Sequence, residues 1–270
     1  MAFSSVLPAF LCLSWQHVAA SSVISRSSRQ SAAISLTASP PTTAGKPFEH
    51  FVSYSIEFSS FPDFAGNLSA PNTFSNNLLD NIAAYSAKPY IRVGGNTEDF
   101  AVFDPSLEVA EVGIVNATIS PDYPTTLTIG PAYFESYQTW PGVKFIHGFN
   151  QGKNSTAERI ALLESVPYAC EALRGRLAYW EFGNEPDLFR PQGARRPADW
   201  KEPQYVAEWL KWTRAIRAAM KGPCPDLATD AEYKYIAPSF AGSTNSLETV
   251  IAFEDGLDTD KDIALTSFHK

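Results

Sequence analysis

A chain of 270 residues, 44% of them hydrophobic, is long enough to bury a proper core as one large domain or two small ones. Its net charge of -8 and pI near 5.0 argue against nucleic acid and sulfated polyanions, both of which are drawn to dense Lys and Arg. A small acidic ligand stays open, because one or two well-placed cations suffice to hold it.

Residues 1–20, MAFSSVLPAFLCLSWQHVAA, have the form of a secretory signal peptide. An apolar stretch runs from Val6 to Trp15, and Val18 and Ala20 are small residues placed for cleavage. That stretch is too short to cross a bilayer, and no other is long enough, so a secreted, extracellular chain with no membrane span is expected. Residues 21–31 are Ser-rich and read as a flexible segment. AAISLTA, within an N-terminal strand and linker at 32–48, could form a strand ended by Pro40 and Pro41. Asn67, Asn116 and Asn154 each open a glycosylation sequon. Cys12 leaves with the signal, so Cys170 and Cys224 remain; an oxidising compartment would pair them, and two buried free thiols are the alternative.

From residue 49 the chain alternates. HFVSYSIEF (50–58) is a strand by its aromatic and β-branched alternation, and the spacing of Phe74, Leu78, Ile82 and Tyr85 predicts a helix. PYIRVGG (89–95) is the second strand, followed by a long Pro-punctuated loop and a short helix around Tyr133 to Thr139. VKFIHGFN (143–150) is the third strand, and 155–173 is a helix capped by Ser155. LAYWEFGN (177–184) is the fourth, and 202–221 is a helix ended by Gly222 and Pro223. YKYIAPSFA and DIALTSFH, joined by the helix SLETVIAFE, are the fifth and sixth. Strands alternating with helices, and apolar on both faces, predict an α/β fold with a parallel sheet. Polar and glycine residues gather at the strand C-termini, which favours a (β/α)8 TIM barrel, incomplete here at about six units, spanning 49–270. No Gly-rich phosphate fingerprint opens a helix.

The chemistry concentrates in WEFGNEPDLF. Catalytic side chains of a parallel barrel sit at strand C-termini, and Glu185 stands there, stopped by Pro186. Glycoside hydrolysis needs one carboxyl kept protonated to donate to the leaving oxygen. Trp180 and Phe182 are the expected aromatic setting that disfavours the charged form of such an acid. Asn184 offers an amide for a sugar hydroxyl. The plainer alternative pairs Glu185 with an arginine, and Glu181, in mid-strand, is expected in a buried ion pair.

WEFGNEPDLF resembles the fourth-strand motif of glycoside hydrolase family 79, the heparanase and β-glucuronidase group within the clan of retaining (β/α)8 enzymes. IRVGGNTEDFAVFDP (91–105) resembles that group's second-strand motif, and SYSIEFSSFP its first strand; the similarity covers residues 32 to 270. The resemblance implies a hydrolase acting on a carbohydrate, a glucuronide-bearing glycan, with Glu185 as acid/base and Asn184 on the sugar 2-hydroxyl. Glu57 and Asn96 would line the subsite, or else serve as an ion-pair partner and a turn residue. Arg92 reads as structural. Arg190, Arg195 and Arg196 could attract a uronate or form a solvated loop, and His269 could touch substrate or simply pack. The resemblance also assigns the N-terminal strand to a β-sandwich.

The family's nucleophile comes from the seventh strand. At roughly 31 residues per βα unit it falls near position 280 or beyond, whereas Lys270 closes the sixth strand, so no nucleophile is expected in this sequence. No metal or cofactor is expected either: in EDGLDTDKD, Ile263 follows where a calcium loop needs glycine, and the histidines do not pair with cysteines at ligand spacing. The acidic chain favours exo-release of glucuronic acid or its 4-O-methyl form, with sequon glycans crowding the rim. A sugar-binding or non-functional fragment and another clan enzyme such as a β-xylosidase are the alternatives.

Overall fold

The computed structural model describes Ser39, Ala44, Gly45, Phe48 and residues 50–269, apart from Ser86, residues 191–194 and residues 243–244. The expected signal peptide, Ser-rich segment and strand at 32–38 lie outside the described residues. The chain divides into residues 1–46 and 47–270, and every element below belongs to the second.

The strands are β1 (Tyr54–Glu57), β2 (Tyr90–Gly94), β3 (Ala101–Phe103), β4 (Glu111–Ile114), β5 (Thr126–Ile129), β6 (Lys144–Phe149), β7 (Leu177–Phe182), β8 (Tyr235–Phe240) and β9 (Ile263–Phe268). The helices are α1 (Phe61–Ala65), α2 (Thr73–Ala83), α3 (Thr156–Leu173), α4 (Glu202–Met220) and α5 (Thr249–Glu254). Six strands form one sheet in the order β1-β2-β6-β7-β8-β9, every pair parallel. The order never reverses along the chain. A doubly wound sheet must reverse at a switch point, so this is the winding of a barrel, present as six strands of an eight-stranded closure.

Local chemistry sets the elements. Ser155 and Glu158 close a capping box at the start of α3. Asn72 caps α2 by accepting from the Ser75 amide. Aromatic rings fill the space beneath the helices: Phe61 packs on Tyr137 at 4.7 Å, and Trp209 of α4 meets Tyr235 of β8 at 5.3 Å. Removing a ring as buried as Trp209 costs about 3–5 kcal/mol. Cys170 and Cys224 form a disulfide, Cα atoms 6.1 Å apart, tying α3 to the segment after α4.

Three expectations need correction. The Pro-punctuated loop after β2 holds a second, three-stranded sheet in the order β3-β5-β4; its strands of three and four residues are too short for alternation to declare itself. The first strand starts at Tyr54, with residues before it outside the ladder. The short helix after the insertion is a 3-10 segment, Pro131–Gln138.

Candidate active site

Glu185 leaves the end of β7 with φ 52° and ψ 50°, a left-handed conformation at a non-glycine residue. Such a backbone costs about 1–3 kcal/mol and persists only where its surroundings over-determine it. Here Gly183 precedes it with φ 85°, and a methyl there would come within 2.4 Å of Gln151 Oε1. The Glu185 amide donates to the Ser239 carbonyl at 2.9 Å, which fixes the turn to β8. Its carboxyl is a quarter exposed and meets His269 Nδ1 at 3.1 Å. His269 immediately follows β9, so the sixth strand of the large sheet does reach the site; among the described residues Glu185 pairs with no arginine.

Trp180 and Phe182 do not surround Glu185. Trp180 stacks on Phe149 at 5.2 Å, and Phe182 lies under the Arg159 guanidinium of α3 at 5.4 Å. Strand alternation sends them to the helix side, while Glu181 between them points the other way, onto Arg92. The desolvation expected from these rings therefore acts on the core.

Arg92 is the centre of a network at the strand ends. Its Nε and Nη2 donate to Glu181 at 2.6 and 3.1 Å, its Nη2 to Asn184 Oδ1 at 2.9 Å, and its Nη1 to Ser55 at 3.0 Å. Burial works against this cation, but the charges of Glu181, Glu98 and Glu57 outweigh it and raise its pKa. Asn184 Nδ2 donates in turn to Asn96 Oδ1 at 3.1 Å. Glu57 accepts from the Thr97 amide at 2.5 Å and hydroxyl at 2.6 Å. The structure thus brings Glu57, Asn96, Asn184 and Glu185 to one end of the sheet, and Asn96 and Asn184 into direct contact. Arg92, read as structural, holds the Asn184 side chain itself.

Two acids of the second-strand motif had drawn no site reading. Glu98 is fully buried between β2 and β6, where a methyl on Gly148 would come within 2.0 Å of its carboxyl, and one on Gly94 within 2.7 Å. Burial, then the charges of Glu181 and Asp99, push its pKa well above the usual range. Asp99, also fully buried, accepts from three backbone amides at the ends of β6 and β7. Adjacent acids behind a Gly-Gly turn were the available signal.

The three arginines after β7 are engaged. Arg195 pairs with Asp99 at 3.6 Å and lies over Phe100; Arg196 bonds Glu208 and the Gln151 and Gly152 carbonyls; Arg190 bonds the Ala198 and Trp200 carbonyls. None of them is a solvated loop cation. Asn67, Asn116 and Asn154 are exposed, in the connection after β1, between β4 and β5 of the insertion that follows β2, and after β6. Among the described residues no group of three or more His, Cys, Asp or Glu could hold a metal ion, and no helix is long and apolar enough to cross a membrane.

An all-parallel, singly wound sheet with an acid at the end of its fourth strand sets the class: an α/β barrel with its polar cluster at the C-terminal face. In agreement, the crystal structure of a 4-O-α-L-rhamnosyl-β-D-glucuronidase from Fusarium oxysporum 12S, as a Rha-GlcA complex, shares the fold with a TM-score of 0.65. It is 24% identical and covers 86% of this chain and 47% of that one. No protein-family profile matches. The chain is 57% identical over 259 residues to a β-glucuronidase of Aspergillus niger, covering 94% of this chain and 47% of that protein. It is 49% identical over 243 residues to a β-glucuronidase of Neurospora crassa, covering 88% and 44%. It therefore spans about half the length of the curated relatives it matches.

Proposed function

We propose that this chain carries the acid/base half of a secreted, retaining β-glucuronidase of glycoside hydrolase family 79, releasing glucuronic acid or its 4-O-methyl form from glycan ends. The observation that carries the reading is 57% identity to a relative named β-glucuronidase, in a chain that sets Asn184 and Glu185 at the end of its fourth barrel strand. Glu185 would protonate the glycosidic oxygen and later deprotonate the attacking water. The Asn184 amide has two hydrogens; Asn96 takes one, and the other is the donor for a sugar hydroxyl. Glycans on Asn67, Asn116 and Asn154 would crowd the rim on this face and favour chain ends.

A second reading, sugar binding without turnover, is favoured by a specific observation. Retaining hydrolysis needs a second carboxylate about 5–5.5 Å from the first, whereas the side chain that hydrogen-bonds the Glu185 carboxyl among the described residues is that of His269. Hydrolysis of 4-nitrophenyl β-D-glucuronide, with the β-D-xyloside as control, separates the readings. The hydrolase predicts turnover of the glucuronide that Glu185→Gln lowers by roughly 10²–10⁴-fold. Glucuronate binding with no turnover supports the second reading, and preference for the xyloside overturns the sugar assignment.

A further inference from the structure

Four backbone segments meet behind the Asn184–Glu185 pair: the turn after β2, the ends of β6 and β7, and the segment carrying Arg195. One side chain touches them all. Asp99 Oδ1 accepts from the Gln151 amide at 2.9 Å and the Gly152 amide at 2.8 Å. Its Oδ2 accepts from the Asn184 amide at 3.0 Å and lies 3.6 Å from Arg195 Nη1. The carboxyl has no exposure to solvent, so these donors replace its entire hydration. A buried anion is tolerated only with such partners.

The arrangement bears on strain as well as charge. Glu185 holds its left-handed backbone between two fixed points. Asp99 takes the amide immediately before it, and Ser239 takes its own amide from the β8 side. Just beyond, buried Asp187 accepts from the Ala241 amide at 2.9 Å, the Gly242 amide at 3.2 Å and Asn245 Nδ2 at 2.6 Å. Release of the Asn184 amide would free one side of this bracket.

We propose that Asp99 is a positioning residue: by gathering the amides of Gln151, Gly152 and Asn184 it fixes the backbone from which Asn184 and Glu185 meet the sugar. That role rests on the hydrolase reading; the hub geometry does not. Burial raises the Asp99 pKa, while Arg195 and the Gly152, Asn184 and Gln151 amides hold it down, leaving it at about 6. The titratable groups facing it are Arg195, Glu98 and Arg159. Protonation neutralises the anion, so the bracket tightens above about pH 6 and loosens below it.

The test is a pH titration of the ¹⁵N-labelled chain by NMR, with amide hydrogen exchange. In the wild type, the Gln151, Gly152 and Asn184 amide protons should shift together with one midpoint near pH 6. Asp99→Asn can keep one oxygen toward Gln151 and Gly152 but turns an NH₂ toward Asn184. The concerted shift should vanish and exchange at Asn184 rise at least tenfold, with Gln151 and Gly152 nearly unchanged. Should that variant not fold, Arg195→Met removes the cation that lowers the Asp99 pKa, and the midpoint should move to higher pH. Independent titration of the three amides, or unchanged exchange at Asn184 in Asp99→Asn, overturns the proposal. Glucuronate, added to both proteins, separates the two claims. A sound hub in a wild type that binds no glucuronate removes the sugar reading alone, and equal affinity in wild type and Asp99→Asn removes the positioning role.

Discussion

At the scale of the residue, some buried acids lack a full set of hydrogen-bond partners among the described residues. Glu111 of β4 is mostly buried and has an unpartnered Oε2; burial, then the nearby charge of Asp63, raises its pKa to about 8. A carboxyl whose folded pKa lies above its unfolded value binds its proton more tightly in the fold. Its contribution is therefore most favourable at acid pH and is lost as pH rises from about 4.5 to 8. His147, buried and bonded to Tyr137, is depressed to about 3 and acts in the opposite direction, costing stability as pH falls below about 6.5. Comparing Glu111→Gln with wild type cancels His147. The melting temperatures should coincide near pH 4, and the variant should gain steadily up to pH 8. A flat difference between them, followed by calorimetry across that range, would remove Glu111 from the balance. This is also where sequence reading reached its limit. Asn184 and Glu185 were legible because their motif is local and a proline stops the strand. Asp99 and Arg92 were not, because each works through partners more than 80 residues away. Period-two alternation was present in YWEF, but without knowing which side held the helices it could not show that Trp180 and Phe182 turn away from the acid.

At the scale of the element, the alternation of strand and helix was legible throughout the large sheet, because both faces of its strands are apolar and each helix carries a cap or a stop. The insertion between β2 and β6 was not, since Val, Ile and Thr runs of three or four residues resemble loop as much as strand. The disulfide was legible only as an option; the structure decides it by placing the end of α3 beside the segment after α4. It closes a loop across a sequence separation of 54 residues, which the chain-entropy account values at about 4 kcal/mol. Cys170→Ala with Cys224→Ala should lower the melting temperature by roughly 8–16 °C in protein from an oxidising compartment. The same pair should change nothing in protein kept reduced. A loss of a degree or less in the oxidised protein would mean that the bridge is dispensable because α3 and α4 hold each other through packing alone.

At the scale of the whole molecule, the sheet has two edges against which no further strand lies among the described residues. β1 and β9 stand at its edges, and a parallel sheet is ordinarily covered on both faces and closed in a barrel. Beside β1 lies a groove of about 770 Å³ lined by Tyr54, Ile56, Leu79, Ile82, Ile91 and Trp140. Tyr54, Phe64, Leu78 and Tyr85 are among the large apolar side chains exposed on that flank, and Leu265 and Phe268 stand exposed on β9. Apolar surface of this extent binds hydrophobic dyes, and unpaired strand edges recruit further strands. The 270-residue chain should therefore enhance anilinonaphthalene sulfonate fluorescence and associate as its concentration rises, followed by light scattering on a sizing column. A lysine on an edge opposes strand addition because its charge cannot be buried in a new ladder. Tyr54→Lys with Leu265→Lys should return the scattering mass toward that of one chain while leaving α3, α4 and the disulfide intact. Association that both lysines leave unchanged would place the contact elsewhere, with the exposed Val112, Ile114 and Ile119 of the inserted sheet and its flank as the next surface to charge.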